Sequence, residues 1–430
     1  MTPTTAEGQD RTLAMRRRLH EQLVAAIDIP AAEQLAGDQL ESECRNRLER
    51  LATAADADLA PEARAALVAS VLDDVFRLGP LEPLLADPTV ADVLVNAPDR
   101  VYVERAGTIE STTARFRDRA HLMQVIQRIV RKAGRRVDER SPMVDARLPD
   151  GSRVNVVLPP LALDGPQLSI RRFPQQPLTL EALVARGSLA PQSAELLRAC
   201  VRGRLNIVVS GGAGAGKTTM LNAASASIGA AERVVTIEDA AELRLANPHL
   251  VRLETRAPNL EGVGAVTTRD LVRNALRMRP DRILIGECRG AEAFDMLQAM
   301  NTGHDGSMTT LHASSAQQAI ARLESMLLMS GFDVPVAVLR DYIADAVQVV
   351  VHLVRLPDGR RVVGEIGEIR ASNGAIGVTP LHVFELGGAG AGVFRGTGEV
   401  PSFQPSLLAK GVQLDRSLFS SGPLVGGTKS

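Results

Sequence analysis

Tryptophan is absent from this sequence of 430 residues, and two tyrosines and nine phenylalanines are the only other large aromatic residues. The formal net charge of −1 at pH 7 leaves no basic excess for contacting a phosphate backbone. Proteins that hold single-stranded nucleic acids usually combine a basic groove with stacking aromatic rings. The composition therefore argues against a dedicated nucleic-acid binder, and we expect no direct nucleic-acid partner.

Cysteine is also scarce. Cys44, Cys200 and Cys288 lie far apart and form no C-x-x-C pair, so neither a disulfide framework nor a zinc site is indicated. No run of 18 apolar residues occurs, and no apolar segment follows the polar amino terminus. The sequence predicts a cytoplasmic protein whose membrane contact is peripheral or made through a partner.

Lysine is rare as well, and one of the few lysines, Lys217, completes the phosphate-loop pattern G-x-x-x-x-G-K-[ST]. The β-branched run Ile207–Val209 precedes the loop and a helix-compatible segment begins at Thr218, which is the strand, loop and helix order that the motif needs. We expect the loop amides and Lys217 to hold the phosphates of ATP, and Thr218 to hold Mg²⁺. The predicted nucleotide-binding residues are Gly211, Gly212, Ala213, Gly214, Ala215, Gly216, Lys217, Thr218 and Thr219.

The part of the chain before this loop has two different patterns. Residues 1–58 are charged and favour helix, which predicts an N-terminal helical module. Residues 59–173 combine a helix that begins at Pro61 with short strands and a Pro-Asp-Gly turn, so we predict a small α+β domain there. The two prolines within Phe173–Pro177 predict a linker, which we assign to residues 174–184.

Residues 185–370 are predicted to form an α/β domain, because strand-like runs alternate there with helical patterns. A hairpin arm at Arg360–Arg370 is expected to close it. Residues 371–430 are assigned to a C-terminal extension with a flexible break at Gly387–Gly392 and a disordered tail at Gly422–Ser430. The strands predicted for a parallel sheet are Ile207–Ser210, Val234–Ile237, Val251–Leu253, Ile283–Ile285, Met308–Leu311 and Val347–Val354.

Further polar residues fall at or near predicted strand ends, where an open α/β sheet gathers its ligands. Glu238 and Asp239 follow one strand, and Glu287 follows another. His304 and His312 bracket a third strand. Each carboxylate alone can be a helix cap and each histidine a surface residue. Their occurrence together behind a phosphate loop favours a catalytic site.

These motifs resemble the type II/type IV secretion ATPase superfamily, and most closely the CpaF-type ATPases of Tad/Flp pilus assembly. The resemblance runs from about Leu78 to Phe419 and is most specific over Leu271–Asp281 and Leu297–Gly306. It implies a RecA-like ATPase domain preceded by a PAS-like domain, and a homo-hexameric ring at the cytoplasmic face of the inner membrane. Polytopic platform proteins of a pilus or secretion system are the implied partners. The tetra-cysteine module of the type II branch is absent, which favours the Tad or type IV secretion branches.

The resemblance also implies a role for each motif. Gly211–Thr218 resembles Walker A, Glu238-Asp239 the Asp box, Ile283–Glu287 an atypical Walker B, and Gly303–His312 the His box. Gly286 stands where other Walker B motifs carry an aspartate that holds magnesium. Mg²⁺ is therefore expected to depend on phosphate oxygens, waters and Thr218, with Glu238 and Glu287 as further contributors through water.

ATP hydrolysis needs mainly positioning and charge stabilisation from the protein. Glu287 is predicted to polarise the attacking water, with Glu238 as its rival or helper, and His304 and His312 are predicted to sense the γ-phosphate. The resemblance further implies that arginines of the first domain reach the nucleotide, although an exposed ion pair is the alternative for each. These arginines are Arg153, Arg171 and, as a weaker candidate, Arg147.

The sequence thus favours a hexameric ATPase that powers Tad/Flp pilus assembly or secretion. A type IV secretion system ATPase is the first alternative. A RecA-like motor acting on DNA and a nucleotide-gated scaffold without turnover are two others, and the intact Lys217, Thr218 and Glu287 argue against the scaffold.

Overall fold

The structure is a computed structural model, and it describes residues 5–26, 37–56, 59–105, 107–172, 178–256, 258, 263–331, 334–372, 374–387 and 392–424. The chain divides into two compact units, Met1–Pro174 and Gln175–Ser430. Three predicted features lie partly or wholly outside the described residues: the linker start Phe173–Pro177, the glycine-rich break at 388–391 and the end of the tail at 425–430.

The first unit begins with helices that pack through a small apolar core containing Leu19, Leu48 and Leu72. Pro61 is the first residue of the last of them, as the sequence predicts, because a missing N–H costs nothing in the first turn of a helix. The helices are α1 (Thr5–Ala26), α2 (Gly37–Ala55) and α3 (Pro61–Phe76).

An antiparallel sheet makes up the rest of the first unit, with strand order β3-β2-β1-β6-β5-β4. Alternate residues such as Val154, Val156 and Ile170 are buried in one core with a helix. This arrangement is the small α+β fold that the sequence predicts, and its further assignment as PAS-like stays a prediction. The elements are α4 (Glu82–Ala86), β1 (Val90–Ala97), β2 (Arg100–Arg105), β3 (Thr108–Ser111), α5 (Arg119–Lys132), β4 (Met143–Arg147), β5 (Arg153–Val157) and β6 (Gln167–Arg171).

The second unit is built on a ten-stranded sheet of order β16-β15-β14-β13-β12-β7-β11-β10-β8-β9. The neighbours from β12 to β9 pair in parallel. Ile207 and Val209 lie in one apolar core and Val208 in another, so the strand that carries them is buried on both faces, which explains its continuous β-branched run. The parallel strands are β7 (Ile207–Gly211), β8 (Val234–Glu238), β9 (Leu250–Glu254), β10 (Arg282–Ile285), β11 (Met308–His312) and β12 (Val349–Arg355).

The sheet continues through residue 370, where the sequence predicts a boundary. One antiparallel strand, Arg361–Ser372, crosses that position and pairs with its neighbours on both sides. Gly422 and Pro423, which are predicted to belong to a disordered tail, pair with the preceding strand. This pairing satisfies backbone groups that an extension would leave exposed. The strands are β13 (Arg361–Ser372), β14 (Ala375–Leu386), β15 (Gly392–Gly396) and β16 (Gly422–Pro423).

Helices cover the sheet of the second unit, and the first of them corrects the predicted linker. Leu180–Ala185 is helical, and Leu180 and Leu183 are buried in the core, so the end of the segment 174–184 is part of the folded unit. No helix in the described part of the chain is both long and apolar enough to cross a membrane. The helices are α6 (Leu180–Ala185), α7 (Pro191–Arg202), α8 (Lys217–Ser225), α9 (Thr268–Ala275), α10 (Glu292–Asn301), α11 (Ala316–Met329), α12 (Val336–Ala346) and α13 (Gln404–Ala409).

Candidate functional site

The phosphate loop connects β7 to α8 at the carboxyl edge of the parallel strands. Gly214 and Gly216 have φ angles of 68° and 95°, a region that residues with a side chain rarely adopt. A Cβ on Gly211 would lie 2.7 Å from the carbonyl oxygen of Leu353. The loop therefore needs glycine at these positions, as expected of a backbone that wraps an anion at a helix amino terminus.

Lys217 is the first residue of α8, and its side chain is buried at the loop. Its Nζ donates to the carbonyl oxygens of Gly211 at 3.2 Å and Gly212 at 3.0 Å. The same Nζ lies 3.3 Å from Nδ1 and 3.4 Å from Nε2 of His312. Burial lowers the pKa of Lys217, and the nearby Glu287 carboxylate opposes that shift. The lysine cation and His312 thus share one side of the loop.

Glu287 and His312 meet where the neighbouring strands β10 and β11 end. Glu287 Oε1 lies 3.1 Å from His312 Nε2. Glu287 Oε2 accepts a hydrogen bond of 2.8 Å from Arg289, which also forms an ion pair of 3.6 Å with Asp239. The Glu287 carboxylate is therefore oriented from two sides, which suits a group that must position a water molecule.

A cavity of about 320 Å³ opens beside this carboxylate. Two of its lining residues, Arg289 and Arg322, are cations that the sequence analysis does not single out. Arg289 stands two residues after Glu287, so its closeness to a predicted catalytic carboxylate is a signal that the sequence offered. Arg322 comes from α11 and offers no such signal. The lining is formed by Glu287, Cys288, Arg289, His312 and Arg322.

Glu238 ends β8, the strand next to β10, and is only 3% exposed. Its Oε1 accepts hydrogen bonds from the backbone N–H groups of Glu242 at 2.9 Å and Leu243 at 3.0 Å. Its Oε2 is buried and has no hydrogen-bond partner among the residues that the structure describes. Burial raises the pKa of Glu238 to about 7, whereas the two backbone hydrogen bonds act in the opposite direction.

Gly286 leaves the space that the Glu238 side chain fills. A Cβ on Gly286 would lie 2.9 Å from Cγ of Glu238. The two residues are held together because Gly286 N donates to the Ile237 carbonyl at 2.9 Å. The missing Walker B aspartate is thus matched by a carboxylate that reaches over from the neighbouring strand.

These residues fit a magnesium ion only together with a nucleotide. Within the described ranges, no group of three or more His, Cys, Asp or Glu side chains could hold a metal ion. In nucleotide sites Mg²⁺ keeps several waters and takes one or two protein oxygens besides the phosphates. The Thr218 hydroxyl is an oxygen of that kind, and Glu238 and Glu287 would contribute through water. When bound, the ion would neutralise charge on the phosphates.

The structure does not bring His304 to this site. His304 precedes β11 and His312 ends it, so the two histidines lie at opposite edges of the sheet, roughly 15 Å apart along the strand. His304 Nδ1 lies instead 3.3 Å from the carbonyl oxygen of Ala299. Within this chain, the predicted γ-phosphate contact therefore fits His312 and does not fit His304, because the length of the strand separates them.

The first half of the Gly303–His312 motif makes contacts that stabilise the fold. Oδ1 of Asn206 accepts hydrogen bonds from the N–H groups of Gly306 at 2.8 Å and Ser307 at 3.0 Å. A Cβ on Gly306 would lie 2.5 Å from Nη1 of Arg282, which is fully buried and pairs with Glu232 at 2.8 Å. The close approach of Arg282 therefore explains why position 306 is a glycine, and no ligand is needed to explain it.

The predicted arginines of the first unit lie in one row across three neighbouring strands. Arg153 pairs in register with Arg171 on one side and with Arg147 on the other. Asp92 continues the row beyond Arg171, with 3.9 Å between Nε and Oδ1. The sheet therefore places three cations side by side, on neighbouring strands. That these arginines contact the nucleotide stays a prediction.

Comparison with known proteins finds secretion and conjugal-transfer proteins among the matches. A family model described as type II/IV secretion system protein matches residues 75–376. The chain is 44% identical over 311 residues to a putative conjugal transfer protein of Mycobacterium tuberculosis (strain ATCC 25618 / H37Rv), covering 71% of this chain and 88% of that protein. It is 35% identical over 305 residues to the type IV secretion system protein VirB11 of Brucella suis, covering 65% and 84%. The crystal structure of the VirB11 ATPase from the Brucella suis type IV secretion system in complex with sulphate matches with a TM-score of 0.37 and 32% identity, covering 69% of this chain and 97% of that one.

Proposed function

As a member of the type II/IV secretion system protein family, this chain is an ATPase, and we propose that it powers a type IV secretion or conjugal-transfer machine. Lys217 at the phosphate loop beside the Glu287–His312 pair supports ATP hydrolysis, and the similarity to conjugal-transfer and type IV secretion proteins carries the choice of machine. The names of the relatives favour this function, which is the first alternative of the sequence analysis, over the Tad/Flp pilus motor.

The site assigns a role to each of its groups. The loop amides and Lys217 hold the phosphates. Glu287, oriented by Arg289 and His312, accepts a hydrogen bond from the attacking water, whose oxygen displaces ADP from the γ-phosphorus. His312 lies between Lys217 and Glu287, so it contacts both the group that holds the phosphates and the group that holds the water. This position suits the sensing of the γ-phosphate.

A working machine of this family would be a homo-hexamer at the cytoplasmic face of the inner membrane, bound to polytopic membrane proteins. The family resemblance supports this assembly, in which we also assign Arg153 and Arg171 to the nucleotide. Alanine at either arginine should lower turnover at least about tenfold, since an arginine that contacts the transferred phosphoryl group contributes far more than that in related chemistry. An exposed ion pair would contribute only ~0–1 kcal/mol to stability and nothing to turnover.

A Tad/Flp pilus motor is the second candidate. Leu271–Asp281 and Leu297–Gly306 support it, because these stretches resemble the CpaF-type ATPases most specifically. The two candidates share the catalytic site and differ only in the machine that uses the ATP.

Gene deletion in the natural host, with complementation by wild type or by Lys217→Ala, separates these functions. Loss of DNA or protein transfer, restored by wild type and not by Lys217→Ala, with pili intact, is the expected result. Loss of pili with transfer intact would support the second candidate. Transfer and pili that both survive the deletion would contradict both functions.

A further inference from the structure

Two arginines from the hairpin of β12 and β13 lie over the phosphate loop. Arg355 ends β12, Arg361 begins β13, and the two residues are cross-strand partners. Nε of Arg361 donates a hydrogen bond of 2.8 Å to the carbonyl oxygen of Gly214. A Cβ on Gly216 would lie 3.7 Å from Cδ of Arg361, and a Cβ on Gly214 would lie 3.7 Å from Nη1 of Arg355. Arg361 therefore contacts the loop directly, and Arg355 lies close enough to Gly214 to touch a side chain placed there.

The order of the strands decides which part of a nucleotide these arginines face. β7, which carries the loop, has β11 on one side and β12 on the other. The groups that act on the γ-phosphate, His312 and Glu287, follow β11 and β10. The hairpin stands on the opposite side of the loop, away from the bond that is broken. A triphosphate held in the loop with its γ-phosphate toward Glu287 directs its α-phosphate and nucleoside toward the hairpin.

We propose that Arg355 and Arg361 bind the α-phosphate and nucleoside half of the nucleotide, and so determine the affinity for ADP and ATP alike. A guanidinium group can hold a phosphate through two hydrogen bonds, and its plane can stack on a base. Stacking by arginine suits a chain that has no tryptophan and only two tyrosines. This inference rests on the ATPase activity and is independent of the machine that the activity drives.

A different role is possible for the same contacts, in which Arg361 only fastens the loop through Gly214. The two roles differ in what they do to a ligand that lacks the nucleoside and the α-phosphate. Magnesium pyrophosphate supplies the loop with two phosphates and offers the hairpin neither a nucleoside nor an α-phosphate. Direct contact predicts that its affinity is independent of the arginines, whereas fastening of the loop predicts that its affinity falls with that of ADP.

The test uses the full chain with Arg355→Gln, Arg361→Gln and the double substitution. Arg360→Gln is the matched control, because Arg360 belongs to the same hairpin and its Nε pairs with Asp358 at 2.7 Å. Calorimetry gives the Kd of ADP, of a non-hydrolysed ATP analogue and of magnesium pyrophosphate, and steady-state assays give KM and kcat. We expect Arg355→Gln and Arg361→Gln each to raise the Kd of ADP about tenfold, and to raise the Kd of the ATP analogue by the same factor. KM should rise with them and kcat should change little, as for lost ground-state binding.

Unchanged ADP affinity in the double variant would overturn the inference. A loss for the ATP analogue without a loss for ADP, or an equal loss for pyrophosphate, would overturn it too, because either result assigns the arginines to the γ-phosphate or to the loop. If wild type binds none of the three ligands, the nucleotide site itself is refuted, and that failure is distinct from failure of the hairpin contact.

Discussion

The two edges of the parallel sheet in the second unit differ in how their polar residues are used. At the carboxyl edge, the side chains of Glu287 and His312 pair with each other yet stay 19% and 48% exposed. At the amino edge, the Arg282 side chain is 1% exposed and is held by Glu232 and by the backbone of Gly306. The comparison of these two pairs teaches that the pair assigned to catalysis still faces solvent, whereas the buried Arg282–Glu232 pair stabilises the fold.

The largest effect is expected at the amino edge and should concern stability alone. Glu232→Gln leaves the buried Arg282 without its ion-pair partner, and breaking such a pair typically costs about 3–5 kcal/mol. The free energy of unfolding should fall accordingly in urea titrations. Turnover per folded molecule, measured below the unfolding transition, should stay near that of wild type. A loss of turnover without a loss of stability would erase the distinction between the edges.

Two lysines provide a matched test of nucleotide binding. Lys217→Ala removes a cation from the phosphate loop and should weaken ATP binding by roughly 100-fold, the equivalent of ~2.7 kcal/mol for charge-assisted hydrogen bonds. Lys410 donates instead to the Gly203 carbonyl at 3.0 Å, in the turn that leads to β7 at the amino edge. Lys410→Ala should therefore leave the affinity within about twofold of wild type, since it removes no phosphate contact. Calorimetry with an ATP analogue measures both, and equal affinities in the two variants would contradict the assigned loop.

The two histidines of one motif sharpen the comparison further. His312→Gln removes a side chain that contacts Lys217 and Glu287, and we expect kcat to fall about tenfold. His304→Gln changes a side chain at the other edge and should alter kcat less than about twofold, because it contacts neither group. Steady-state ATP hydrolysis gives kcat for His312→Gln and His304→Gln. A larger loss for His304→Gln would restore the γ-phosphate contact that the sequence predicts for His304.

A further expected effect is a pH dependence of stability at Glu238. Burial raises the pKa of this carboxyl from 4.5 to about 7, so between these values the folded state holds a proton that the unfolded state releases. The stabilisation from this group is therefore complete below pH 4.5 and is lost as the pH rises through about 7. Glu238→Gln stays neutral and should flatten the pH dependence of the free energy of unfolding. Urea titrations from pH 5 to 8 measure the free energy of unfolding of wild type and Glu238→Gln. The same pH dependence in both proteins would contradict a buried neutral carboxyl at Glu238.

Features that depend on residues adjacent in the chain could be predicted from the sequence. The glycines and Lys217 specify the phosphate loop locally, and continuous β-branched runs specify strands that are buried on both faces, such as Ile207–Gly211. The strands after residue 370 join the same sheet, although the glycine-rich composition there hides their apolar alternation. Helix α6 could not be predicted from apolar periodicity, because it is only six residues long.

Contacts between distant residues could not be predicted in this way. His304 and His312 stand close together in one motif, and only the strand between them shows that they face different edges. Arg361 reaches Gly214 across 147 positions of the chain, through a register that no local pattern encodes. The contact of the Glu238 side chain with Gly286 could not be predicted either, because the position of a carboxylate after one strand does not show which neighbouring strand it packs against.

Glu287 is the carboxylate that we expect to act on the attacking water. The most direct test is single-turnover hydrolysis of bound ATP by Glu287→Gln, with the ATP affinity measured on the same preparation and Glu238→Gln assayed beside it. We predict that Glu287→Gln binds ATP within about threefold of wild type and hydrolyses it about 10²–10³-fold more slowly. Hydrolysis at the wild-type rate by Glu287→Gln, together with a comparable loss in Glu238→Gln, would contradict the account and assign the reaction to Glu238.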